Sequence, residues 1–131
     1  MIIIASGQSN SLGRIEEGPF IRNENVFVYN NDGNTFEVAD IENVRYRTVT
    51  GDIFGEGKSN PIVIFANRMQ IETGRPVFVI IEARGASGID HWIYGDYTYK
   101  LNRVTDQAIA SREDLSYENI EYFVWLQGER S

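Results

Sequence analysis

Three short segments of this 131-residue chain carry the residue types that acyl transfer uses. The first, Gly7-Gln8-Ser9-Asn10, places a serine in a tight polar stretch after the apolar run Ile2-Ile3-Ile4. The second runs Ala83-Arg84-Gly85-Ala86-Ser87-Gly88-Ile89-Asp90-His91-Trp92, and the third is Trp125-Leu126-Gln127-Gly128-Glu129. A serine hydroxyl can attack an ester carbonyl, and the charge that develops on oxygen needs hydrogen-bond donors fixed in advance. Gly85 offers its N–H with no side chain in the way, and Gln127 can donate from its carboxamide. Each segment also has an ordinary structural reading, because Gly, Asn and Ser are common turn formers and a polar loop after a strand needs no chemistry. Their shared position raises the set above that: each follows the carboxyl end of an expected parallel strand, where open α/β sheets collect ligands.

Other residues around these segments have two readings each. His91 is the sole histidine and lies six positions after Gly85, within reach of a role as general base, although a solitary histidine in a polar loop is ordinarily just solvated. Trp92 and Tyr97, with Tyr94 and Tyr99, are aromatic enough to pack against a sugar ring or simply to cover surface. Trp125 alternates with core positions in a strand and is expected in the core. Glu82 and Asp90 are expected to be solvated or to cap backbone groups.

The elements that would position these residues follow from pattern. Ile2-Ile3-Ile4 and Pro76-Val77-Phe78-Val79-Ile80-Ile81 are continuous apolar runs of the kind found in strands covered on both faces, and Ile120 to Leu126 reads as a last strand. Ser59-Asn60-Pro61 starts a helix with Ile62, Phe65, Ala66 and Met69 on its apolar stripe, and Gly74 is placed to end it. A second helix is expected over about Tyr97 to Arg112, with Leu101, Val104, Ala108 and Ile109 inward. Val26–Tyr29 and Thr35–Val38 flank an Asp32-Gly33 turn and read as a small surface hairpin insertion. Asn43 to Lys58 reads as irregular, with at most one short strand. Strand, helix, strand, helix, strand is the grammar of crossovers in a parallel sheet, here with three expected central strands.

Composition narrows the class. Hydrophobic residues make up 42% and charged ones 24%, as in a folded globular domain, and 131 residues suffice for one domain. Twelve basic against nineteen acidic residues give a net charge of −7, and no Lys/Arg cluster is present to neutralise phosphates, which argues against nucleic acid as a partner. With no cysteine and one histidine, thiolate and zinc sites are not expected, and no cofactor is. The N-terminal apolar stretch is too short for a signal peptide core or a membrane span, so a soluble protein is expected, compatible with the cytoplasm or with a virion.

Gly7-Gln8-Ser9-Asn10, the pattern Ala83-x-Gly85-x-Ser87-x-Ile89-x-x-Trp92 and Trp125-x-Gln127-Gly128-Glu129 together resemble the three conserved blocks of the sialate O-acetylesterase-like branch of the SGNH hydrolases, which includes carbohydrate esterase family six acetylxylan esterases. The helix around Phe65-Ala66-Asn67-Arg68-Met69 resembles the one these proteins carry between the first two blocks. The resemblance implies a three-layer α/β/α sandwich around a parallel, flavodoxin-like sheet and removal of O-acetyl groups from carbohydrate without a metal. It implies Ser9 as nucleophile, an oxyanion hole from the Ser9 and Gly85 amides and the Gln127 side chain, Asn10 as a support of the loop, and Glu129 shaping the site from beneath. The chain departs from the pattern at Ser11, Ala86 and Ser131, and it holds no Asp-x-x-His block, from which the family takes its base. It is therefore expected to be the N-terminal portion of a longer hydrolase domain, weak or inactive by itself. Two other functions fit parts of the sequence: a flavodoxin-like flavin-binding module using the Ser6 to Ser11 loop, and an inactive carbohydrate-binding or structural domain on an esterase scaffold.

Overall fold

A computed structural model describes residues 1–7, 22–31, 33–39, 46–47, 53–54, 61–83 and 97–126. In chain order the elements are β1 (Ile2–Gly7), β2 (Val26–Asn30), β3 (Thr35–Val38), β4 (Tyr46–Arg47), β5 (Ile53–Phe54), α1 (Pro61–Thr73), β6 (Val77–Ala83), α2 (Tyr97–Ala110) and β7 (Ile120–Leu126). A five-stranded sheet has the order β3-β2-β6-β1-β7. β1 pairs in parallel with β6 and β7, β2 pairs in parallel with β6, and β3 alone runs antiparallel, against β2.

The pleat divides the apolar runs between two cores, because successive side chains of a strand point to opposite faces. On one face Ile3, Ala5, Val26, Val28, Val77, Val79 and Ile81 are buried under Ile62, Val63 and Ala66 of α1. On the other, Ile2, Ile4, Tyr29, Phe78 and Ile80 are buried under Leu101, Val104, Ala108 and Ile109 of α2. With a helix on each face, the fold is the three-layer α/β/α arrangement that the sequence leads one to expect. Fully burying a Val or Ile side chain is worth about 1.5–3 kcal/mol, so these two layers are the main source of cohesion.

Both helices end for identifiable reasons. α1 closes with the Gly74 N–H donating to the Gln70 carbonyl at 2.8 Å, and Gly74 itself has φ 69°, the left-handed conformation that suits glycine at a helix C-terminus. α2 stops at Ala110, two residues before the expected limit. Ser111 and Arg112 instead donate to Ala108 and Ile109 in a tightened final turn. The Arg112 guanidinium lies 4.8 Å from the centre of the Phe78 ring and is held by Asp114 at 2.9 Å. Phe78 also stacks on Phe27 and meets Phe36 edge-on.

The hairpin forms where the Asp-Gly signal places it, but its first strand is not a surface appendage. β2 lies inside the sheet, between β3 and β6, with Val26, Val28 and Tyr29 buried. The physical reason is visible in Val26-Phe27-Val28-Tyr29, which is apolar on both faces of the strand and so needs cover on both. The parallel part of the sheet therefore has four strands instead of three. In the segment expected to be irregular, two short strands pair antiparallel, Tyr46 with Phe54 and Arg47 with Ile53.

Candidate active site

The sheet brings the ends of three strands to one level. β1 is flanked by β6 and β7, and its last residue, Gly7, pairs with Ala83, the last of β6, and with Leu126, the last of β7. Neighbouring strands lie about 4.8 Å apart, so the chain leaves the sheet three times within a span of about 10 Å along a single rim. Ser9 and Gly85 each follow two residues after such an exit, and Gln127 follows immediately. Ser9, Asn10, Gly85, Asp90, His91, Trp92, Tyr94, Gln127 and Glu129 themselves lie outside the described residues. Tyr97 is the first residue of α2, which begins after the segment carrying Gly85.

One residue below the rim, the three strands carry Ser6, Glu82 and Trp125 side by side, with Ser6 in register with both of the others. By the alternation of the strands all three belong to the α2 face. The Ser6 hydroxyl is fully buried and donates to the Glu82 carbonyl oxygen at 2.6 Å, tying β1 to β6 just under the point where they end. Trp125 is half-buried and packs against the α2-side core, consistent with its expected core position.

Glu82 corrects an expectation. It is neither solvated nor a cap: it is fully buried, at 0% exposure, in the strand next to β1. The signal was available in the register of the run, since Phe78, Ile80 and Glu82 share one face and that face is covered by α2. A carboxylate is rarely buried without interactions that compensate its lost hydration. Its place one residue below the strand ends puts it beside the candidate site, where attention to the three polar segments passed it over. Tyr99, left open between packing and ligand contact, is 68% exposed on α2. Among the described residues, no three His, Cys, Asp or Glu side chains gather into a metal-binding group, and no helix is long and apolar enough to cross a membrane.

An α/β sheet with helices on both faces, and with polar sequence segments following the carboxyl ends of adjacent parallel strands, has the form of the open α/β proteins, a class in which ligands collect at that edge of the sheet. The family described as carbohydrate esterase, sialic acid-specific acetylesterase, matches residues 1–131, and the chain belongs to that family. A structure from Arabidopsis thaliana superposes with a TM-score of 0.70 at 18% identity, covering 98% of this chain and 57% of that one. A structure described as a novel carbohydrate acetylesterase from Xanthomonas citri superposes with a TM-score of 0.50, also at 18% identity, covering 98% of this chain and 32% of that one. At such identity these likenesses speak to the fold, and the chain spans little more than half of the first structure and a third of the second. A search of curated proteins returned no match.

Proposed function

We propose that the chain carries the nucleophile and oxyanion hole of a serine esterase that removes O-acetyl groups from carbohydrate. The observation that carries this is the common level of Gly7, Ala83 and Leu126, from which the Ser9, Gly85 and Gln127 segments depart side by side. Family membership supports the ester and carbohydrate parts of the reading.

In this mechanism the Ser9 Oγ attacks the acetyl carbonyl carbon while a base takes its proton. The resulting oxyanion accepts hydrogen bonds from the Ser9 and Gly85 amides and the Gln127 carboxamide. The carbon–oxygen bond to the sugar then breaks, the sugar hydroxyl recovers a proton, and acetyl-Ser9 remains. Water hydrolyses that ester, releasing acetate and restoring the serine. Asn10 supports the loop, Glu129 supports the floor, and Trp92 and Tyr97 face the sugar. His91 is the histidine this sequence offers as base. The family pattern takes its base from an Asp-x-x-His block, which does not occur in these 131 residues. A general base contributes about 10²–10⁴ to the rate of such a step.

A fluorophosphonate probe tests the nucleophile without requiring turnover. Labelling is expected at Ser9, shown by peptide mass spectrometry, and is lost in Ser9→Ala. Labelling confined to another serine, or acetate release from acetylated xylo-oligosaccharide that persists in Ser9→Ala, would overturn the assignment. Glycan binding with no labelling would favour an inactive scaffold. Absorbance near about 450 nm in the purified protein would favour the flavin module.

A further inference from the structure

Glu82 is a buried ionisable group to which the proposed mechanism gives no task. Its side chain lies on the α2 face of β6 at 0% exposure, in line with Phe78 and Ile80. α2 begins beyond the carboxyl end of β6 and leads into β7, which runs parallel with β6 on either side of β1, so the helix travels back along that face from the strand ends. Ile80 is the last apolar residue of β6 there, and Leu101 is the first buried α2 residue of the same cluster among those described. Glu82 stands about 6.6 Å beyond Ile80 along the strand. One turn of α2 before Leu101 covers about 5.4 Å, which sets the first turn, Tyr97 to Lys100, over Glu82.

That turn has a requirement that Glu82 meets. The first four backbone N–H groups of an α-helix have no partner within it, and the helix dipole gathers partial positive charge at the same place. The first turn of α2 contains no Asp or Glu of its own. A carboxylate beneath it supplies acceptor oxygens and negative charge, and those N–H groups in turn compensate the hydration that the carboxylate loses on burial. The contact also closes the base of segment 84–96, because Glu82 stands just before that segment and the first turn of α2 just after it. The segment carries Gly85. Ser6 already ties β1 to β6 at this level through the Glu82 carbonyl, so the carboxylate adds a hold on the segment's far end. We propose that Glu82 is a positioning residue for the oxyanion hole: its carboxylate anchors the first turn of α2 and thereby fixes the Gly85 amide relative to Ser9. The anchoring contact follows from the fold, and its catalytic consequence rests on the serine esterase reading.

Hydrogen exchange and fluorophosphonate labelling read the contact and its consequence separately. In the wild-type chain the amides of Thr98, Tyr99 and Lys100 are expected to exchange slowly, unlike those of an uncapped helix start. Glu82→Met, an apolar residue of similar length, is expected to release that protection while the amides of residues 104–110 keep theirs. Its maximal rate of labelling at Ser9, per folded molecule, should fall about tenfold to a hundredfold, the order that a misplacement of about 1 Å costs. The probe concentration giving half that rate should not change. Glu82→Gln, which keeps an acceptor oxygen at the same place, should restore most of both signals. Fast exchange of the first turn in wild-type protein, protection unchanged in Glu82→Met, or labelling as fast in Glu82→Met as in wild type overturns the proposal. The first of these needs no variant to fold. Wild-type protein that never labels at Ser9 overturns the esterase reading and the positioning role with it, whereas wild-type labelling that Glu82→Met leaves intact overturns the positioning role alone.

Discussion

At the scale of single residues, the proposed chemistry rests on a few polar residues in the segments that follow β1, β6 and β7. Gln127→Ala is expected to lower acetate release by about 10²–10³ while leaving the melting temperature unchanged, since loss of one oxyanion donor acts on the transition state and not on the fold. The comparison is made on a form of the protein with measurable turnover. Ser6 makes the opposite kind of contribution. Its buried hydroxyl satisfies the Glu82 carbonyl, so Ser6→Ala should lower unfolding free energy by about 0.5–1.5 kcal/mol in urea titrations. The sequence singles out Ser9 and Gln127 as candidates because acyl transfer uses few side-chain types, and those types stand after apolar runs. Glu82 was not singled out, because a glutamate next to a polar loop looks solvated until the register shows that it shares a face with Phe78 and Ile80.

At the scale of elements, the helices and strands follow local rules closely. α1 spans Pro61–Thr73 and stops just before Gly74 as its sequence signals indicate, and β7 spans Ile120–Leu126 as its apolar run indicates. Gly74 allows a clean test of the C-terminal rule, because a Cβ there would meet nothing within 4 Å. Any cost of substitution is therefore conformational. Gly74→Ala should destabilise by about 1–2 kcal/mol and Gly74→Asn by less, measured as the shift in denaturation midpoint at constant m-value. β2 is the element whose context was misjudged. Its turn signal is local and was read correctly, whereas its place between β3 and β6 depends on Val77, Phe78 and Val79, which lie far along the chain.

At the scale of the whole molecule, one exposed ion pair links distant segments and another is local. Arg75 binds Glu121 through both guanidinium nitrogens, joining the chain after α1 to β7, and Arg112 binds Asp114 likewise beyond α2. These hydrogen bonds hold the Glu121 and Asp114 carboxyls below their ordinary pKa values. A depressed folded-state pKa contributes stability that is present above the unfolded pKa and lost as pH falls through the folded value. Melting temperature should therefore drop as pH is lowered from about 5 through the carboxylate range. The double variant Glu121→Gln/Asp114→Asn should flatten that limb. Because the pairs are exposed, the effect is small and shrinks further in high salt.

What the sequence determined by itself was local: the long strand runs, the span of the first helix, and which residue types could serve acyl transfer. Propensity, capping and periodicity act over a few residues, so they can be read from a few residues. Only the tertiary structure decided the lateral order β3-β2-β6-β1-β7, the placing of β1 between β6 and β7, and the common level at which those three strands end. Those features come from packing two helices on opposite faces of one sheet, a long-range balance in which residues dozens of positions apart must share a layer.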